Sequence, residues 1–207
     1  MMKSVICLSG KRNSGKTTAE QFILEHLEGA SSSYQMATLL KKVISALTGI
    51  TSKELDKQNF KSLISPYIVY EGEKKHYLTY RELLIHFGKK LREDNNDIFI
   101  NDVISHIESS SEPYIVIPDV REIREIEAIR EYCDDSDIQF VSIRIERPKA
   151  VYHDDISNDK TETDLDNYDF NYTILNNESI NSLYTNIFHI LHAEGITLKN
   201  FYEQTLF

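Results

Sequence analysis

The sequence predicts an α/β fold of three layers, α/β/α, built on a central parallel sheet. Three observations carry that prediction. Short apolar runs rich in β-branched residues alternate with segments whose apolar residues recur at helical spacing. Two of the runs, around Val5–Leu8 and in "PYIVIPD", are apolar without interruption, as strands covered on both faces are. The first run also passes through a glycine-containing loop directly into an amphipathic segment.

Taken in order, Lys3–Ser9 reads as a strand, and Ala19, Phe22, Ile23 and Leu27 mark a helix over Thr17–Leu27. Ser31–Ala37 supplies a second short strand. Leu39, Leu40, Val43, Ile44 and Leu47 stripe a second helix that Gly49 can stop. Thr51–Tyr77 is weakly periodic and is read as a helical excursion or flap. Leu83, Leu84, Phe87 and Leu91 form one further stripe, and Ile100, Val103, Ile104 and Ile107 form another after the polar "EDNND" break. The strand "PYIVIPD" follows, then a helix through Ile123, Ile126 and Ile129, strand "FVSIRI", a polar stretch, a strand near "FNYTIL" and a helix through Leu183, Ile187, Ile190 and Leu191.

A chain of 207 residues with 41% apolar content can bury one ordinary core, so a single domain over 1–207 is expected. A formal net charge of -10 argues against nucleic acid as a partner, because neutralising phosphates needs a basic surface. No apolar run is long enough for a membrane span or a secretory signal, which points to a cytoplasmic protein without a membrane partner. Cys7 and Cys133 lack metal-ligand spacing and read as reduced packing thiols. From Val151 to Asn181 there are eight Asp or Glu and one Lys, a run read mainly as solvated surface.

The chemistry is concentrated in "LSGKRNSGKTTAEQFI". Gly10, Gly15, Lys16 and Thr17 meet the Gly-x-x-x-x-Gly-Lys-Thr spacing between a strand and a helix, which is where a phosphate-binding P-loop must stand. The loop Gly10, Lys11, Arg12, Asn13, Ser14, Gly15 can wrap phosphates with its N–H groups, and the helix start at Lys16, Thr17 and Thr18 adds a positive partial charge. Lys16 would reach the β- and γ-phosphates of ATP and Thr17 would hold Mg²⁺. Asp119, ending a buried strand, can orient Mg²⁺ or a substrate hydroxyl, or simply cap the next helix.

A P-loop alone leaves the reaction open. Neither an Asn-Lys-x-Asp segment nor an Asp-x-x-Gly switch is present, which disfavours a GTPase. Transfer needs a clamp for the acceptor phosphate, and Arg81 and Arg121 are the candidates because a guanidinium binds two phosphate oxygens at once. Arg92 returns to the face of Arg81 and is read as solvated. Arg144, Arg147 and Lys149 lead into a polar segment suited to a lid, with Arg147 either its catalytic cation or a surface partner of Glu146 or Asp155. His76, His86, His106 and His153 carry no spacing that indicates catalysis.

Taken together, "SGKRNSGKTT", "TYRELLIHFGKKLREDNNDIFINDVI", "IVIPDVREIREIEAIR" and "TETDLDNYDFNYTILNN" resemble the phage-type deoxynucleoside monophosphate kinase family over nearly the whole chain. The resemblance implies an adenylate-kinase-like P-loop fold with sheet order 2-3-1-4-5. It implies transfer of the γ-phosphate of ATP to a nucleoside monophosphate. Gly10 to Thr17 would bind ATP phosphates, and Arg81 and Arg121, in an acceptor region over 51–97 and beyond Asp119, would hold the acceptor. The 144–166 segment would close as a lid, Asn176 and Asn177 would lie near adenine, and a homodimer and a phage or viral source remain open. Animal-type phosphomevalonate kinases are similar in "GKRNSGK" and "LDNYDF". The chain departs from the phage family in Thr18, where Asp is usual, and in Ile85-His86, where a base-reading Gln is common. A regulator that binds ATP without transferring phosphate is the alternative of a different class.

Overall fold

The computed structural model describes residues 2–71, 74–148 and 163–199. In chain order the elements are β1 (Ser4–Ser9), α1 (Lys16–His26), β2 (Ser31–Ser33), α2 (Thr38–Thr48), α3 (Ser52–Asp56), α4 (Gln58–Lys61), β3 (Ile64–Glu71) and β4 (Lys74–Thr79). They continue with α5 (Tyr80–Asp94), α6 (Ile98–Ser109), β5 (Tyr114–Ile117), α7 (Ile123–Asp135), β6 (Gln139–Glu146), β7 (Tyr172–Leu175) and α8 (Ile180–Ala193). The chain divides into two compact units, Met1–Gln35 with Ile104–Phe207, and Met36–Val103.

The first unit holds a five-stranded sheet in the order β2-β5-β1-β6-β7, with every neighbouring pair parallel. Counting only the strands of this sheet, that is the expected 2-3-1-4-5. Parallel strands need crossover helices, and these cover the sheet, so the central strands are apolar throughout. Ile6 and Leu8 of β1 pack with Phe22 and Ile23 of α1 and with Leu183 and Ile187 of α8 in one fully buried cluster. The alternate residues Val5 and Cys7 are equally buried on the other face, where the thiol of Cys7 feels Cys133, Arg130 and Glu125 of α7. Both cysteines are free, and burial raises the pKa of each: Cys7 well above its usual value and Cys133 to about 12. They are unreactive packing groups, as the sequence implies. Lys3 donates to the carbonyls of Ile107 (2.8 Å) and Ser110 (2.7 Å), placing a cation at the negative end of α6.

The second unit has its own small core of Ile44, Leu55, Leu78, Tyr80 and Leu83. α2 stops at Gly49, whose left-handed φ of 75° ends the helix as the sequence indicates. The segment read as a helical excursion contains two short helices, but its second half is an antiparallel hairpin of β3 and β4. Both faces of β3 are apolar, with Tyr67 and Val69 packed inward while Ile64 and Tyr70 are about 70% exposed. A period-2 signal is therefore hidden, and Pro66, within the irregular pairing between Ile64 and Ile68, hides it further. Capping boxes at Thr51/Glu54 and Thr79/Glu82 start α3 and α5. Each carboxylate accepts from its capping threonine, which lowers its pKa.

The second strand is shorter than expected, covering Ser31–Ser33 rather than Ser31–Ala37, because the chain leaves the sheet once Tyr34 N–H has bonded the carbonyl of Val116 (2.9 Å). No described helix is long and apolar enough to cross a membrane. Of the anticipated lid, residues 149–162 lie outside the described residues, with Lys149, His153 and Asp155. So does the "NFYEQTLF" terminus.

Candidate phosphate-binding site

Between β1 and α1 the backbone takes left-handed conformations at Asn13 (φ 60°) and Gly15 (φ 109°), with φ 150° at Gly10. The first glycine is required by space as well as conformation. A Cβ at Gly10 would sit 2.3 Å from the carbonyl oxygen of Ile145 and 2.6 Å from Ser14 Oγ. Ser14 N–H closes the loop onto the carbonyl of Lys11 at 3.1 Å. Gly15 is the N-cap of α1, which has no side-chain cap and no acidic residue in its first turn. Thr51, Thr79 and Ser179 cap other helices with their hydroxyls. The first turn of α1, over Lys16, Thr17 and Thr18, thus presents the positive end of the helix with no carboxylate of its own. Lys16 arches back over the loop, its ammonium donating to the carbonyls of Lys11 (2.8 Å) and Gly10.

A polar network extends from the loop along the carboxyl ends of the strands. Asp166 accepts from Lys11 Nζ through one oxygen and from Arg144 Nη2 through the other, each at 2.7 Å. Arg144 is a strand residue with 6% exposure, and its Nη1 donates to Ser9 Oγ at 3.0 Å. Ser9 Oγ donates in turn to the carbonyl of Val120 at 3.0 Å. Lys11, Arg144, Ile145, Glu146, Arg147, Pro148 and Asp166 line a cavity of about 380 Å³ beside the loop. Arg147 is exposed at its rim, one residue past β6, and Glu146 makes a 4.0 Å ion pair with Arg144.

Asp119 lies two residues beyond β5 and is half-buried. The N-cap of α7 is Glu122, so Asp119 is not spent on capping that helix. The turn is pinned to β1, because Val120 N–H donates to the carbonyl of Leu8 at 3.2 Å. It is fixed from the other side by Glu125, whose Oε2 accepts from Arg121 N–H (2.8 Å) and Glu122 N–H (3.1 Å). The Arg121 side chain is exposed. Burial raises the pKa of Glu125 to about 7, with Glu122 and Asp119 adding to the rise while the two amides oppose it.

A folded-state pKa above the unfolded one means that the native protein holds this proton more tightly. The associated stability is fully present below the ordinary carboxylate value near 4.5 and is lost as pH rises through about 7. Glu125→Gln keeps an acceptor for both amides and cannot ionise. Its stability advantage over the wild type should widen from pH 5 to pH 8, toward about 3 kcal/mol at most. Urea melts across that range check this, and a constant gap would contradict it.

The loop residues Gly10, Lys11, Asn13, Ser14, Gly15, Lys16, Thr17 and Thr18 fall within one run of nine positions, and Asn176 joins them from the end of β7 by donating to the carbonyl of Ser14 at 2.8 Å. Asp119 and Arg121 stand at the end of β5, the strand beside β1. Arg81 belongs to the other unit, in the first turn of α5, where Nη2 donates to Gln58 Oε1 at 2.7 Å. Arg92 stacks on Phe99, 4.8 Å from the ring, rather than lying in solvent. His106 stacks on Tyr34 at 3.9 Å, a packing role. Neither Asp166 nor Glu125 is singled out as a site residue by sequence spacing. Asp166 sits in an acidic run that reads as surface, and Glu125 is one of several charges on an amphipathic helix.

No family model and no curated protein sequence matches the chain. The tunicamycin resistance protein of Deinococcus radiodurans shares its fold with a TM-score of 0.50 at 13% identity, over 96% of this chain and 99% of that one. Two structures of the Mycobacterium tuberculosis APS kinase CysC, one a mutant and one in complex with AMPPNP and APS, align with a TM-score of 0.44 at 10% and 11% identity. They cover 92% of this chain and 98% of theirs. The likeness to the Deinococcus protein supports a shared α/β fold, and identities this low speak to the fold alone.

Proposed function

We propose that this chain transfers the γ-phosphoryl group of ATP to a small phosphorylated acceptor, a nucleoside or deoxynucleoside monophosphate, giving the diphosphate. The observation that carries the reading is the loop itself. Its two glycines are held at positive φ, the uncapped start of α1 lies behind it, and the Lys16 ammonium stands over its mouth. Backbone amides, helix end and ammonium together form an electrostatic cradle for the charge on donor phosphates. Phosphoryl transfer asks little covalent chemistry of the protein, so positioned positive charge is the main requirement.

In this reading Gly10, Lys11, Asn13, Ser14, Gly15, Lys16, Thr17 and Thr18 bind the ATP phosphates. Arg121 orients the acceptor phosphate from the turn beyond β5, and Arg147 supplies a cation at the rim of the cavity that Lys11 lines. Arg81 comes to the acceptor phosphate through the sequence resemblance. Thr17 and Asp119 offer hydroxyl and carboxylate oxygens, the hard donors that Mg²⁺ takes, and such ions draw further ligands from water and substrate phosphates. When bound there, Mg²⁺ would neutralise charge on the transferring phosphates.

The test is a panel of dGMP, dTMP, dCMP, dAMP, UMP and phosphomevalonate with Mg-ATP, followed by ADP release. Turnover with one or more nucleotides is expected. Activity on phosphomevalonate alone would sink the nucleotide assignment, and measurable ATP binding without any turnover would make the chain a regulator.

A further inference from the structure

We infer that Asn176 is a positioning residue for the phosphates, acting through the Ser14–Gly15 peptide; this rests on the cradle reading above. Asn176 is tied down at its backbone, where its N–H donates to the carbonyl of Glu146 at 2.7 Å and continues the parallel pairing of β6 and β7. From that anchor its side-chain amide reaches the carbonyl of Ser14 at 2.8 Å. The contact spans 162 residues of sequence and joins the last strand of the sheet to the loop after the first.

The physical consequence follows from the planar trans peptide, in which the carbonyl of one residue and the N–H of the next point in opposite directions. Drawing the Ser14 carbonyl toward Asn176 turns the Gly15 N–H away from Asn176 and across the loop. Ser14 does not fix this orientation with its own side chain. Its hydroxyl is buried and makes no hydrogen bond among the described residues. Gly15 must also be glycine for the contact to form, since a Cβ there would lie 2.5 Å from Asn176 Nδ2. The amide, the missing side chain and the left-handed φ of 109° are one device that aims a donor of the cradle.

This assigns Asn176 a different ligand moiety from the adenine that the resemblance implies, and the two can be separated by a ligand without a base. Affinities for Mg-ATP and for inorganic tripolyphosphate are measured by calorimetry on the wild type, Asn176→Ala and Asn176→Asp, with Tm recorded for each. Asn176→Asp keeps the size, removes the donor and sets a carboxylate against the Ser14 carbonyl, so it serves if the alanine variant does not fold. The expected result is a loss of about tenfold for both ligands in parallel, the value of one well-placed hydrogen bond. A loss for ATP with tripolyphosphate unchanged would overturn the inference in favour of base reading. Unchanged affinity for both would overturn it outright. A wild type that binds neither ligand would remove the cradle itself, and the inference with it.

Discussion

Lys16→Ala is expected to lower kcat by a factor of about 10² to 10³ while leaving the fold intact. The Lys16 ammonium is held over the loop by the carbonyls of Lys11 and Gly10, and Lys16 lies outside the buried apolar cluster formed by β1, α1 and α8. Its methylene stem is partly exposed, so truncation removes charge and little packing. The charge matters because negative charge on the donor phosphates must be stabilised in a site whose geometry is already set, and removing one such preorganised group costs about 3–4 kcal/mol of transition-state stabilisation. Lys16→Arg should not restore activity, because a planar fork cannot occupy the place of a compact ammonium between two carbonyls. The measurement is ADP release under saturating ATP with the acceptor found in the panel, alongside Tm. Near-normal turnover in Lys16→Ala would refute the assignment of the cradle as the donor site.

Gly10→Ala should act on the fold as well as the site. The new methyl would meet the Ile145 carbonyl at 2.3 Å, and that carbonyl belongs to a central strand whose movement would disturb the pairing of β6 with β1 and β7. Relief must come from the loop, at a backbone angle that side chains rarely adopt. A destabilisation of about 3 kcal/mol, or a drop in Tm of roughly 6–12 °C, is expected for a chain of this length. Gly49→Ala is the control: its φ of 75° is also left-handed, but a Cβ there meets nothing within 4 Å, so only about 1 kcal/mol should be lost. Thermal melts of the two variants separate collision from conformational strain. Equal losses would show that the approach of Ile145 to Gly10 is not limiting.

Much of the architecture was readable because the residues that build it repeat their signal locally. The continuous apolar runs of β1 and β5 mark strands covered on both faces, and the stripes of α1, α2, α5, α7 and α8 lie at helical spacing. The loop is legible for the same reason, since every residue of Gly10–Thr18 is a neighbour in sequence. The β3–β4 hairpin was not legible, because its outward face carries Ile64, Tyr70 and Tyr77 and the alternation disappears.

The site beyond the loop depends on separations that sequence spacing does not encode. Asp166 is paired with Lys11 across 155 residues, and Arg144 with Ser9 across 135. Parallel strands bring the carboxyl ends of β1, β5, β6 and β7 side by side, and each end delivers one polar residue to the same edge. Composition presents Asp166 as one charge in an acidic surface run and Asn176 as one of a pair of asparagines after a strand. By itself the sequence marked Gly10–Thr17 as a candidate phosphate-binding loop, because the Gly-x-x-x-x-Gly-Lys-Thr spacing between a strand and a helix is a local pattern. Which carboxylate pairs with Lys11, and which amide reaches the Ser14 carbonyl, were decided only by the tertiary structure. Those contacts exist once the sheet has closed the distance between residues that the chain keeps more than a hundred positions apart.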